Sequence, residues 1–214
     1  MRNYSILMWN EIFVLRKDRR VRIKLMLSFM IILYVLFFSF FEKNSNILSF
    51  YFFGFFFISP LIDFSFYLDR IKKRFPRFLG MGYSLRQVIL TKTIVIFSLG
   101  CIFGVLFSSL ALYIGTLGVF NVNLEHHHMA MLLSITLYNF WIILISGLIQ
   151  TRFEIIFPVR LFNILVFILF VNFNNSIDAI YETDILQKHF PLGMIFIILL
   201  TVFLAGKLNK DKIT

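Results

Sequence analysis

Long apolar runs are the feature that most constrains this chain. Stretches such as Ile47–Ser59 and Ile195–Ala205 carry no charged residue and show no alternation of apolar and polar side chains. Buried β-strands in a membrane barrel would alternate, because one face meets lipid and the other a polar lumen. In lipid, backbone polar groups must be satisfied within the segment itself, which leaves the α-helix. Six such segments are read: Leu25–Phe41, Ile47–Tyr67, Thr93–Phe120, Met129–Ile149, Val159–Phe173 and Pro191–Gly206. With 59% hydrophobic and only 15% charged residues over 214 positions, too little polar surface remains to solvate a globular domain. The expected fold is an all-α integral membrane protein forming a single transmembrane domain over 1–214.

Charge fixes the expected orientation. Nineteen of the 21 Lys and Arg fall in the N-terminal stretch, the loops after spans two and four, and the tail, against Lys43 and Lys188 on the other side. By the positive-inside rule this predicts a multi-pass plasma-membrane protein with both termini in the cytoplasm. The net charge of +10 is therefore read as a topology signal with attraction to anionic membrane lipid, and not as a nucleic-acid footprint. The first 24 residues are too long and too charged for a signal-peptide n-region, and no cleavage site is expected after the first span. Cys101, the sole cysteine, lies within span three and excludes a disulfide framework.

Residues 1–24 read as a cytoplasmic interfacial helix, with Tyr4, Met8, Ile12 and Leu15 on one face, Ile6 and Phe13 opposite, and Trp9 suited to the headgroup region. A plain extension of span one is the alternative. On the outer side, 174–190 reads as a short amphipathic helix bearing Ile177, Ile180, Tyr181, Ile185 and Leu186, with Pro191 opening span six in its first turn.

The cytoplasmic loop 68–92, LDRIKKRFPRFLGMGYSLRQVILTK, is the most informative segment. Arg74, Phe75, Arg77, Phe78, Leu79 and Met81 mix basic and buried-type side chains, which points either to docking on another protein or to burial in the headgroup layer. Gly80-Met81-Gly82 breaks the segment, and Ser84 with Gln87 has the spacing of a capping box that restarts a helix. Asp63 is an acid inside an apolar run and a candidate for gating, with pairing to Arg70 or Arg160 as the plainer reading. His126-His127-His128 is read as a polar boundary, since consecutive residues do not converge on one ion, and no metal site is assigned. No Ser/His/Asp or Cys/His set stands out for hydrolysis, and the phenylalanines are read mainly as packing and lipid-facing groups.

The order Phe78-Leu79, Gly80-Met81-Gly82, Tyr83-Ser84-Leu85-Arg86, Val88-Ile89-Leu90 and Lys92 resembles the ABC-2 type ABC-transporter permeases, the membrane-spanning subunits of ABC exporters. The chain departs from that pattern where Lys72-Lys73-Arg74-Phe75-Pro76 replaces an acidic stretch and the turn lacks its proline. The resemblance covers the topology of the whole chain but only Arg77–Lys92 in sequence. It implies a permease subunit working by alternating access, coupled to a separate ATP-binding cassette ATPase through 77–82, with a smaller contact at Phe153–Phe157. It implies also a second permease subunit, identical or related. The chain has no G-x-x-x-x-G-K-[ST], so no enzymatic activity is expected of it, and ATP and Mg are expected on the partner ATPase with no cofactor on this chain. An ATP-independent secondary carrier and a membrane scaffold or sensor are the competing functions.

Overall fold

A computed structural model describes residues 2–19, 22–23, 26, 29–30, 44–46, 50–52, 54–58, 61–62, 65–66, 74–116, 121–123, 127–153 and 184–206. Five helices have defined bounds: α1 (Arg2–Lys17), α2 (Arg74–Gly80), α3 (Leu85–Thr116), α4 (His127–Phe153) and α5 (Asp184–Gly206). The described residues within 50–66 are helical as well. Two of these helices contain stretches long and apolar enough to cross a membrane, Leu85–Tyr113 and Leu132–Thr151, and His189–Leu204 is a shorter apolar one. Spans one and five, the outer stretch 174–183 and Asp63 lie outside the described residues, apart from a few isolated positions of span one.

Segment 50–66 is central. Phe50, Tyr51, Phe52, Phe55, Phe56, Phe57, Ile58, Leu61, Ile62 and Phe66 are all buried, so the described residues of this segment carry apolar groups on every side because every side is covered. Its aromatic richness serves packing: Phe57 meets Phe103 edge-on at 4.6 Å between centroids, and Phe55 lies 5.8 Å from Phe97. α3 packs on α4, α4 on α5, and α1 on the start of α3. The outward sides of α3 and α5 remain apolar, with Ile102, Val105, Leu106, Leu192, Phe196, Leu199 and Phe203 exposed. Exposed apolar surface along successive turns is the pattern of a helix facing lipid.

Close helix approach depends on glycine. A Cβ added to Gly54 would collide with the backbone of Gly104, and one added to Gly100 would lie 2.6 Å from the Phe55 ring. Between lipid-solvated helices, small residues at the crossing let backbones approach and gain dispersion contacts.

At one end of the bundle, Asn44–Asn46 and Asn121–Asn123 pair as two short parallel strands, with Ser45 opposite Val122. The loops expected on the outer side thus meet. Two expectations are corrected. The buried stripe of α1 is Leu7, Glu11 and Leu15, while Ile12 is exposed alongside Ile6, Trp9 and Phe13, because the helix turns an acid inward. Pro191 does not open span six; α5 runs unbroken from Asp184 to Gly206 with Pro191 inside it, so residues 184–190 and the last span belong to one helix. A proline there removes one amide donor without breaking the helix.

The Gly54–Gly104 crossing makes a direct expectation. Gly54→Ala should destabilise the folded protein by about 1–3 kcal/mol, the usual cost of overpacking, read as a lowered denaturation midpoint in detergent. Ala at Gly193, whose Cβ position is open, should change it little.

Candidate functional site: the α2–α3 elbow and its buried ion pair

The elbow between α2 and α3 is built from local rules. α2 ends in a Schellman motif: the Tyr83 amide donates to the Phe78 carbonyl at 3.1 Å and the Gly82 amide to the Leu79 carbonyl at 3.0 Å. Gly82 has φ +84°, which a glycine adopts without steric cost. The Phe78 and Tyr83 rings meet edge-on at 6.5 Å, the apolar contact that accompanies such an ending. Two residues on, Ser84 caps α3. The Ser84 amide donates to Gln87 Oε1 at 2.8 Å, and the Gln87 amide donates to Ser84 Oγ at 3.2 Å. The capping box expected from Ser84 and Gln87 is thus formed. One short chain segment stops a helix and starts another with most terminal groups satisfied.

The elbow also sorts its side chains. Phe78, Leu79 and Tyr83 are half-buried and pack on the core, whereas Pro76, Arg77 and Met81 are exposed. The side chains of Arg74, Phe75 and Phe153, and those of His126–His128, lie outside the described residues.

Above the elbow sits a feature that the sequence reading missed. Lys92, read there as a basic residue at the foot of span three, is only 3% exposed. Its Nζ lies 2.5 Å from Glu11 Oε2 and donates to Ser65 Oγ at 2.9 Å. Ser65 in turn donates to Glu11 Oε1, and Lys92 Nζ stands 5.8 Å from the centre of the Phe66 ring. Glu11 and Ser65 are 3% and 2% exposed. Three elements therefore converge through one cluster: α1 by Glu11, segment 50–66 by Ser65, and α3 by Lys92. The available signal was Glu11 itself, the one acid in residues 1–17, spaced four residues from both Leu7 and Leu15.

The hydrogen bonds of the cluster run in one direction. In a serine–lysine nucleophilic pair the serine hydroxyl donates to the amine. Here Lys92 donates to Ser65, and Ser65 passes its own proton toward Glu11. The cluster is closed to solvent, and its donors and acceptors answer one another. Such an arrangement ties the three elements together. A buried charge whose partner is removed costs about 3–5 kcal/mol, far more than a surface pair contributes.

Deeper in the bundle, Tyr51 OH lies 3.1 Å from Thr136 Oγ1 and 3.7 Å from Cys101 Sγ, so the cysteine read as a packed thiol sits within α3 beside a polar contact between helices. Trp141 Nε1 donates to Thr201 Oγ1 at 3.2 Å and ties α4 to α5.

Comparison with known proteins gives no match. No family model matches the chain, and neither does a curated protein or a solved structure.

Burial of Lys92 is open to chemical test. An amine-acylating reagent applied to the folded protein should modify exposed Lys17 and leave Lys92 unmodified, as read by peptide mass spectrometry. Modification of both at similar rates contradicts the buried pair. Ser65→Ala, which leaves the charges paired, should cost about 1–2 kcal/mol of stability.

Proposed function

We propose that the chain is the membrane-spanning subunit of an ATP-driven exporter, with six spans and cytoplasmic termini, working as a pair of permease subunits with a separate ATP-binding cassette ATPase. The observation that carries this reading is the elbow at 74–87. It is a short, rigidly capped helix joined directly to the long apolar helix α3, with exposed Arg77 and Met81 at its surface and Phe78 and Leu79 anchored inward. A force applied to such a helix reaches α3 without being lost in a slack loop. The Glu11–Lys92–Ser65 cluster carries it further, to α1 and segment 50–66. Rigid tilting of these helices together is the motion that alternating access requires.

Two further observations support the membrane arrangement. Pairing of 44–46 with 121–123 gathers the loops that positive-inside asymmetry assigns to the outside. The outward faces of α3 and α5 are mostly apolar. ATP hydrolysis belongs to the partner, since this chain carries no phosphate-cradling loop. In that scheme Asp63 remains a gating candidate.

The side-chain sorting of the elbow selects the test. Arg77→Glu with Met81→Asp alters exposed positions and should abolish co-purification with an ATP-binding cassette ATPase from the same host, while membrane insertion and detergent stability stay as in the parent. Undiminished co-purification rejects the elbow as the coupling element. Topology is tested separately. In a Cys101→Ser background, Asn44→Cys and Asn123→Cys should react with an impermeant maleimide on intact cells, and Arg77→Cys only after permeabilisation. Labelling of Arg77→Cys on intact cells contradicts the orientation.

A further inference from the structure

One surface feature extends beyond the coupling elbow, sharing Arg77 and Met81 with it. Between the second half of α1 and the elbow lies a groove of about 690 Å³, within the size range of small-molecule sites. Its cations are Lys17, Arg19 and Arg77, facing one acid, Asp18, and its apolar wall includes Phe13 and Met81. All three cations are exposed, and Lys17 Nζ stands 5.6 Å from the centre of the Phe13 ring. The groove therefore has a net positive character with an apolar ledge beside it.

We infer that this groove binds the phosphate headgroup of an anionic lipid. The apolar side of α1 decides for a lipid over an acidic peptide. Phe13 lines the groove and also belongs to the exposed face formed with Ile6, Trp9 and Ile12. That face turns away from the core because Leu7, Glu11 and Leu15 are packed inward. A phospholipid matches both parts, its phosphate among the cations and its acyl chains along the Phe13–Trp9–Ile6 side. An acidic peptide would leave that continuous apolar strip uncovered. Cations next to an apolar, Trp-bearing helix face are the usual composition of a surface held at the headgroup layer. The inference rests on the membrane reading, and its lipid-binding readout on the purified chain needs no ATPase.

The test uses the purified full-length protein in neutral detergent with dioctanoyl phosphatidylglycerol, dioctanoyl phosphatidylcholine or inorganic phosphate. Phosphatidylglycerol should raise the thermal midpoint and remain bound in native mass spectra, and the other two should do neither. The triple variant K17Q/R19Q/R77Q should weaken phosphatidylglycerol binding at least tenfold, whereas R86Q, which removes an exposed cation elsewhere, should not. Should the triple variant aggregate, K17Q alone should still weaken binding severalfold. An equal response to phosphatidylcholine, an equal response to inorganic phosphate, or equal loss in R86Q overturns the site. Unchanged lipid binding in the triple variant, together with lost ATPase co-purification, assigns the groove to a protein partner and also overturns it.

Discussion

Everything around the α2–α3 elbow of this protein depends on one buried ion pair. Lys92 and Glu11 are taken almost wholly out of solvent, and that is tolerable only because each is answered by the other and by Ser65. Charges in such surroundings are stabilised when their hydrogen-bonding capacity is met and are costly when it is not. The pair therefore does more than hold two residues. It sets the rotation of α1, since only one face of that helix can carry Glu11 inward. The same choice leaves Ile6, Trp9, Ile12 and Phe13 on the outside. Large apolar groups thus remain on the outer face of α1, where a water-soluble amphipathic helix would turn them inward.

From that anchor the rest follows by contact. Gly54 and Gly104 let segment 50–66 and α3 approach to backbone distance, so Ser65 and Lys92 are carried on two helices that cannot slide freely past each other. Below Lys92, the capped elbow directs α2 away from α3 through a single glycine with positive φ and one reciprocal pair of hydrogen bonds. Helix, elbow and clamp then form one mechanical unit. The proposed coupling to an external motor rests on this unit, because energy transfer needs stiffness between a docking motif and the helices it moves.

Local grammar was legible in the sequence, and long-range partnership was not. Ser84 and Gln87 announced the start of α3, and Gly80-Met81-Gly82 announced the end of α2, because caps and turns are written within a few residues of chain. The apolar runs gave α3 and α4 for the same reason. The face of α1 was misjudged, since hydrophobicity alone ranks Ile12 above Glu11; only the presence of Lys92, 81 positions away, reverses that order. Lys92 itself was counted with the cytoplasmic charges because positive-inside asymmetry locates a residue along the membrane normal and is silent about whether it faces water or a partner. The continuity of α5 was missed because proline usually marks a helix start, while here the preceding turns, Asp184 to Phe190, are themselves helical.

The central claim is that Glu11 and Lys92 act as a pair that locks α1 to the foot of α3. A double-mutant cycle on denaturation in detergent tests it most directly, using Glu11→Leu, Lys92→Met and the two combined. Each single change should cost about 3 kcal/mol or more by stranding a buried charge, and the double variant should recover most of that loss, giving a coupling of at least about 2 kcal/mol. Additivity of the two losses to within about 0.5 kcal/mol would show that the residues do not act together, and would contradict the account.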